Sequence, residues 1–379
     1  MKSVQILIIG SGPAGFSAAK TALGKANNMT MLNNESYLPY YRTRLNEVIA
    51  NNKSIDNILI KNSDWYKENN IDIITSVIAN NVDTDNKLVT LNSGEKIKYE
   101  KLIISSGSTP NKIKIPHASE VLSLYSYDDA LKIKEMSKNK GRAFIVGGGI
   151  LGIELAHALI TSGIEASIGI ILEYPLERQL DKIGGLFLKD KLDKIGIKIY
   201  NNSNFETMGD LIEGSCVITT VGVKPNLNFL KNTNISINRG IVVNEHMESS
   251  IPDVYACGDV AEFNGKNPGL INIANKQGEI AALNACGEKA SYTEIVPSPI
   301  LKVSGISIIS CGDIEHISSS NIFRFQDEMK YILCSIKDDK LDAAAVIGDV
   351  NLGMKLKKAI DTKKTFSSPN SLNEILNSL

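Results

Sequence analysis

"VQILIIGSGPAG", residues 4–15, is the stretch that decides the fold. Its first half is an apolar run without alternation, the pattern of a strand buried on both faces. Its second half, GSGPAG (10–15), has the spacing G-x-G-x-x-G and opens a helix-forming segment. Each glycine has its own reason. Gly10 allows a tight turn, Gly12 lets a pyrophosphate approach the backbone, and Gly15 lets helix and strand pack closely. Ser11, Pro13 and Ala14 complete the loop. The helix start supplies free N–H groups and a dipole worth ~0.3–1 kcal/mol to an anion.

One such match is weak, because three glycines at fixed offsets recur by chance about 0.2 times in a chain of this length at ordinary glycine usage. The chain has a second. GGGILG (147–152) repeats the device with Gly147, Gly149 and Gly152, and Ile150 and Leu151 lie between them. It too follows a buried run, RAFIVGG (142–148), and precedes a helical pattern. Two fingerprints 137 residues apart (147 minus 10) define two Rossmann-like units, hence two dinucleotides.

Further apolar runs extend the pattern at 28–33, 101–107, 216–222 and 254–259. Runs of this kind alternating with helical segments mean a parallel sheet covered on both sides. The last 80 or so residues differ. ILKVSGISIISCGD (300–313) and YILCSIKDDKLDAAAVIGD (331–349) read as antiparallel ribbons, the second turning at Asp338–Asp339. The fold class is therefore α/β, with two Rossmann-like dinucleotide-binding domains and a small carboxy-terminal α+β domain.

Composition excludes several classes. A net charge of −1 with 22% charged residues gives no pull toward nucleic acid or an anionic membrane. No apolar run approaches the ~20 residues of a membrane span. The amino terminus has no cleavage site and runs into the glycine loop, so the expected location is the cytoplasm. The five cysteines, Cys216, Cys257, Cys286, Cys311 and Cys334, form no close pair. That excludes a local redox disulfide and a zinc spacing, and no metal is expected.

The acids that would hold an adenosine ribose are less tidy. After the first fingerprint the strand ends LNNE (32–35), offering Asn33, Asn34 and Glu35. After the second it ends IGIILEY (168–174), where Glu173 is the nearest carboxylate and Ile170 occupies the usual acidic position.

The two fingerprints, YACGDVAE (255–262) and LKVSGISIISCGD (301–313) together resemble the two-dinucleotide flavoprotein oxidoreductases of the glutathione-reductase-like fold. The likeness runs over the whole chain. ESYLPYYRTRL (35–45), LEYPLERQLD (172–181) and NIANKQGE (272–279) are similar to the branch that reduces rubredoxin with NADH in anaerobic bacteria. ERQLD (177–181) also resembles the flavin domain of assimilatory nitrite reductases. The resemblance implies FAD at the first fingerprint and NADH at the second. It implies that Gly258 and Asp259 meet the flavin ribityl chain and phosphate, and that Arg42 lies near the FAD phosphates. Asn272, Ala274 and Lys276 would open the helix that faces the flavin ring. Glu154 would position the nicotinamide, and Ala79, Ser106, Gly107 and Gly222 would line the cofactor sites. No residue would be catalytic in the strict sense, because the cofactors carry the hydride chemistry. The implied domains are 1–106 with 224–299 for FAD, 107–223 for NAD(P)H, and 300–379 at the carboxy terminus.

In the coenzyme-A-disulfide reductase and NADH oxidase branch a cysteine faces the flavin in a Cys-Gly-x-Pro-Tyr-Tyr slot. Here that slot reads Ser36-Tyr37-Leu38-Pro39-Tyr40-Tyr41. A hydroxyl forms neither disulfide nor sulfenate. Electrons arriving as a hydride should then leave singly, to an outside carrier. The resemblance implies rubredoxin, a small acidic protein, and through it oxygen or peroxide removal in an anaerobe. KLKKAIDTKK (355–364), locally net +4, is a complementary cue or simply a solvated helix face. A second departure is Glu47, which stands where ferredoxin and rubredoxin reductases of aerobes have a lysine. Competing readings are a nitrite-reductase-type flavin module, an NADH oxidase, and an NADH-sensing flavin-binding interaction protein.

Overall fold

The computed structural model describes residues 1–317, 321–366 and 371–378. The remainder of the expected carboxy-terminal domain, 318–320, 367–370 and 379, lies outside the described residues. Two compact units emerge. The first comprises Met1–Arg44, Ser54–Thr109 and Val223–Glu294; the second comprises Leu45–Lys53, Pro110–Gly222 and Ile295–Leu379.

The first unit is built on a seven-stranded sheet. Its parallel part runs Ile71–Ile74, Met29–Leu32, Lys2–Ile9, Lys96–Ile104 and Val254–Ala256. The register sets Ile9 beside both Leu32 and Ile104. The outer half of Lys96–Ile104 instead carries an antiparallel meander of Leu88–Leu91 and Ala79–Asp83. Ile6, Leu7, Ile8, Leu102, Ile103 and Ile104 are fully buried, as expected for strands covered on both faces. Two helices, Pro13–Ala22 and Ile271–Ala285, pack tightly on this sheet's glycine end. A β-carbon on Gly278 would lie 2.2 Å from the Ala14 carbonyl oxygen, so only glycine permits that approach.

The second unit repeats the scheme. Lys198–Tyr200, Glu165–Gly169, Arg142–Val146, Cys216–Thr219 and Val121–Ser123 form a five-stranded parallel sheet in that order. A separate antiparallel sheet of Ile300–Val303, Ile306–Cys311, Lys340–Ile347, Tyr331–Lys337 and Ile322–Gln326 belongs to the same unit. Two of its hairpins turn at Ser304–Gly305 and at Asp338–Asp339, all with positive φ. Helix Val350–Asp361 covers one face through Leu356, Ala359 and Ile360, packed with Ile309, Val346 and Phe366.

Asp181 ties the two sheets of this unit together. Its carboxylate caps helix Lys182–Lys194 at the Gly184 N–H and accepts from Tyr331 (2.6 Å) and from Arg324 Nε (2.7 Å).

Candidate functional site

Both fingerprints fold into the same turn. Gly10 has φ +102° and Gly147 has φ +123°, conformations that other residues rarely adopt. A β-carbon on Gly10 would press to 2.2 Å from the Ser105 carbonyl oxygen, and one on Gly147 to 2.6 Å from Thr220 Oγ1. Gly15 sits where a β-carbon would be 2.0 Å from the Gly10 carbonyl oxygen; for Gly152 and the Gly147 oxygen the distance is 2.1 Å. Gly12 and Gly149 are different, because a β-carbon there would meet no atom within 4 Å. Both are helix N-caps without a side-chain cap, and neither first turn holds an acid. Each turn therefore presents uncapped backbone N–H groups beside open space, which fits a pyrophosphate. Ser11 and Ala14 are buried and Pro13 half-buried, while Ile150 is half-buried and Leu151 exposed.

A hydroxyl locks each turn from behind. Ser105 Oγ donates to the carbonyls of Gly10 (2.8 Å) and Ile9 (3.1 Å). Thr220 Oγ1 donates to those of Gly147 (3.1 Å) and Val146 (3.4 Å). Sequence reasoning missed this pair, although a signal exists: IISSGSTPN (103–111) and ITTVGVKPN (218–226) are alike.

Around the first turn, Asn33 is buried and donates to the Tyr37 carbonyl (2.6 Å) while its Oδ1 accepts from the Glu35 N–H (3.1 Å). Asn34 is exposed. Glu35 accepts from Tyr40 (2.5 Å) and forms an ion pair with Arg42, so these two site candidates hold one another. Ala79 is buried, and Ser106 and Gly107 are half-buried. Asn226 donates to the Ser106 (2.9 Å) and Ser108 (3.1 Å) carbonyls, fixing that loop. Asp259 accepts from Ser108 (2.8 Å), and Asn267 donates to its carbonyl (2.5 Å). Gly258, with φ +75°, approaches Ala14, and its N–H is held by Gln277 (2.9 Å). Helix Ile271–Ala285 has an uncapped start, where Asn272 is exposed, Ala274 buried and Lys276 paired with Glu279 (2.8 Å). All of these residues belong to the first unit.

Around the second turn, Glu173 is exposed and paired with Lys182. Ile170 is buried against Gly148, so an apolar side chain stands at the usual acidic position. Gly222, exposed with φ +87°, accepts from the Asn111 N–H (3.0 Å). Glu154 lies in the second turn of helix Ile150–Thr161, and burial pushes its carboxyl up to about 7. Its neighbour Asn46 was not anticipated. Glu47, the other departure noted above, is paired with Lys53 (2.7 Å).

The slot residue Ser36 is exposed. None of the five cysteines is disulfide-bonded, and four are buried. Burial pushes the thiols of Cys257, Cys311 and Cys334 up to about 12, and those of Cys216 and Cys286 upward too. No thiol is thus prepared as a thiolate. Among the described residues there is no cluster that could hold a metal ion, and no helix long and apolar enough to cross a membrane.

Two twinned glycine turns on parallel sheets, with an antiparallel α+β region after them, define a two-dinucleotide oxidoreductase fold. The chain belongs to the pyridine nucleotide-disulphide oxidoreductase family, which it matches over residues 4–278. Residues 297–364 match the rubredoxin NAD+ reductase C-terminal domain. The chain is 73% identical over 379 residues to NADH-rubredoxin oxidoreductase of Clostridium acetobutylicum, covering 100% of both. The crystal structure of that enzyme superposes with a TM-score of 0.95 across 100% of both chains. A nitrite reductase [NAD(P)H] of Bacillus subtilis is 30% identical over 98% of this chain but only 49% of its own length.

Proposed function

We propose that this protein is an FAD-dependent NADH:rubredoxin oxidoreductase. The observation that carries the reading is end-to-end identity of 73% with an NADH-rubredoxin oxidoreductase in a chain whose two glycine turns each fit a pyrophosphate. Residues 1–106 and 224–299 hold FAD, residues 107–223 hold NADH, and 300–379 form the carboxy-terminal domain. At the first turn the backbone of Gly10 to Gly15 takes the FAD pyrophosphate, with Asp259 and the uncapped helix at Asn272 as further contacts. At the second, Gly147 to Gly152 takes the NADH pyrophosphate, and Glu173 reaches the ribose. Arg42 already neutralises Glu35, so Glu35 meets a ribose only as part of that pair. FAD, when bound, accepts a hydride from NADH and yields its electrons singly. The protein binds and orients both groups and offers the electrons no thiol. Five free thiols suit a reducing compartment, and we place the protein in the cytoplasm.

The test is anaerobic turnover of FAD-loaded protein with NADH or NADPH, with and without rubredoxin. Rubredoxin should be reduced far faster with NADH than oxygen is. Equal turnover with oxygen would make the protein an oxidase and end this reading.

A further inference from the structure

Asn46, on helix Leu45–Asn51, and Glu154 are incompletely matched inside the second unit. Asn46 Oδ1 is buried with no hydrogen-bond partner. Its Nδ2 lies 3.4 Å from Glu154 Oε2, at the long limit of a hydrogen bond. No cation pairs with Glu154 among the described residues. The elements packed on its helix carry Glu47, already paired with Lys53, together with Lys302, Glu165 and Arg142, and His157 shares the helix itself. None of these shifts Glu154, for which burial is the cause.

An ionised carboxylate in this place has one long amide contact and no counter-charge, so the neutral acid competes near neutral pH. The neutral acid needs an acceptor for its O–H. An asparagine amide offers either partner, nitrogen one way round and oxygen the other. Neither orientation satisfies the whole Asn46 amide, so the proton on Glu154 can decide between them.

We propose that Asn46 is a positioning residue for Glu154: its amide donates to the ionised carboxylate and, turned over, accepts from the neutral carboxyl, so that Glu154 holds or releases one proton as the charge of the bound nicotinamide changes. This rests on the placement of NADH at the second glycine turn and on Glu154, two residues past Gly152, facing its nicotinamide as the family resemblance implies. When NADH gives its hydride to the flavin it becomes NAD+, and its ring gains one positive charge. The hydride takes its negative charge to the flavin; Glu154 loses one proton to water and sets a carboxylate against the cationic ring. Ionised Glu154 then favours NAD+, whereas the neutral acid accommodates the uncharged ring of NADH.

The experiment measures dissociation constants of NAD+ and NADH on FAD-loaded protein between about pH 6 and pH 8.5, one unit of pKa displacement being about tenfold in affinity. NAD+ binding should tighten about tenfold as the pH rises through 7, and NADH binding should change less than about twofold. Glu154→Gln should hold NAD+ at its weak low-pH affinity throughout and should remove one protonated-carboxyl band from the infrared spectrum. Asn46→Leu deprives the charged form of its donor, the stronger of the two hydrogen bonds, so the midpoint should rise by about half a unit or more. Asn46→Ser keeps a donor and an acceptor and should stay near the wild type. The infrared band and Glu154→Gln test the proton even if Asn46→Leu does not fold. NAD+ binding that ignores pH, or a midpoint unmoved in folded Asn46→Leu, would overturn the proposal while leaving the NADH assignment standing. Failure of either nucleotide to bind would overturn both.

Discussion

A methyl group added at Gly15 would sit 2.0 Å from the Gly10 carbonyl oxygen, whereas one added at Gly12 would meet no protein atom within 4 Å. The first glycine serves packing and the second serves whatever occupies the space beyond. Gly15→Ala should therefore lower the thermal stability of the apoprotein, because backbone must move. Gly12→Ala should leave apoprotein stability within ~0.5 kcal/mol, as for a substitution without new contacts, yet weaken FAD retention. Thermal melts and flavin content after gel filtration read the two effects separately; full FAD content in Gly12→Ala would remove the pyrophosphate from that turn. Glu173 belongs to the same scale. A charged acceptor on ribose hydroxyls is worth ~1.5–3 kcal/mol, but Glu173 and Lys182 are both about half exposed, and water screens them. Glu173→Ala should raise the NADH dissociation constant by roughly fivefold, about 1 kcal/mol, below that range because of the screening. A change below twofold would move the ribose contact elsewhere.

At the scale of elements, the glycine turns, the buried strands and the two carboxy-terminal hairpins were legible because each is a local pattern. Period, glycine spacing and Asp338–Asp339 fix them without help from distant chain. Asn46 beside Glu154 was not legible, since its meaning arises only when segments 108 residues apart meet, and Glu35 against Arg42 was not, since the path of an irregular loop and no periodic spacing brings them together. An intermediate case is the likeness of 103–111 to 218–226. In the first unit the Asn226 side chain holds the Ser106 and Ser108 carbonyls; in the second, that of Asn111 holds the Val221 carbonyl (3.2 Å). Each asparagine follows Pro110 or Pro225, and the chain crosses between units beside each proline. The repeat was visible, but its swapped hydrogen bonding was not. Asn226→Ala leaves two half-buried carbonyls without their donor, at a cost of ~1–3 kcal/mol in all. The loss should appear as a lower urea midpoint and as faster FAD release, because Ser106 and Ser108 flank Gly107 and Ser108 donates to Asp259. Tyr331→Phe offers a contrast in the other unit. It removes one of three hydrogen bonds to the Asp181 carboxylate, so stability should fall by ~1–2 kcal/mol while flavin retention stays unchanged. A flavin loss in Tyr331→Phe equal to that in Asn226→Ala would mean that retention follows general stability and not the loop.

At the scale of the whole molecule, the question is where the electrons go. Charge gives a partial answer. In the basic stretch 355–364, Leu356, Ala359 and Ile360 are core, and Lys357 is paired with Asp361. Lys355, Lys358 and Lys363 remain exposed, so only part of the net +4 faces solvent. An acidic carrier should still bind more slowly as salt rises past ~0.1 M, where the Debye length is ~10 Å. The thiols give the sharper answer. An electron store beside the flavin would need a cysteine that is exposed and low in pKa, and all five here are raised by burial. Ser36, in the slot where the family resemblance would place a redox cysteine, is an exposed hydroxyl. Reduction of the FAD-loaded protein by NADH under argon should therefore be complete at about one equivalent per flavin, because each hydride carries the two electrons that the flavin accepts and no thiol takes a second pair. Flavin absorbance against added NADH reads this directly. The same end point should persist after treatment with an alkylating agent and in a Cys286→Ser variant, Cys286 being the one cysteine only partly buried. A second equivalent that disappears in Cys286→Ser would reveal a thiol partner, and the single-electron exit to rubredoxin would lose its physical basis.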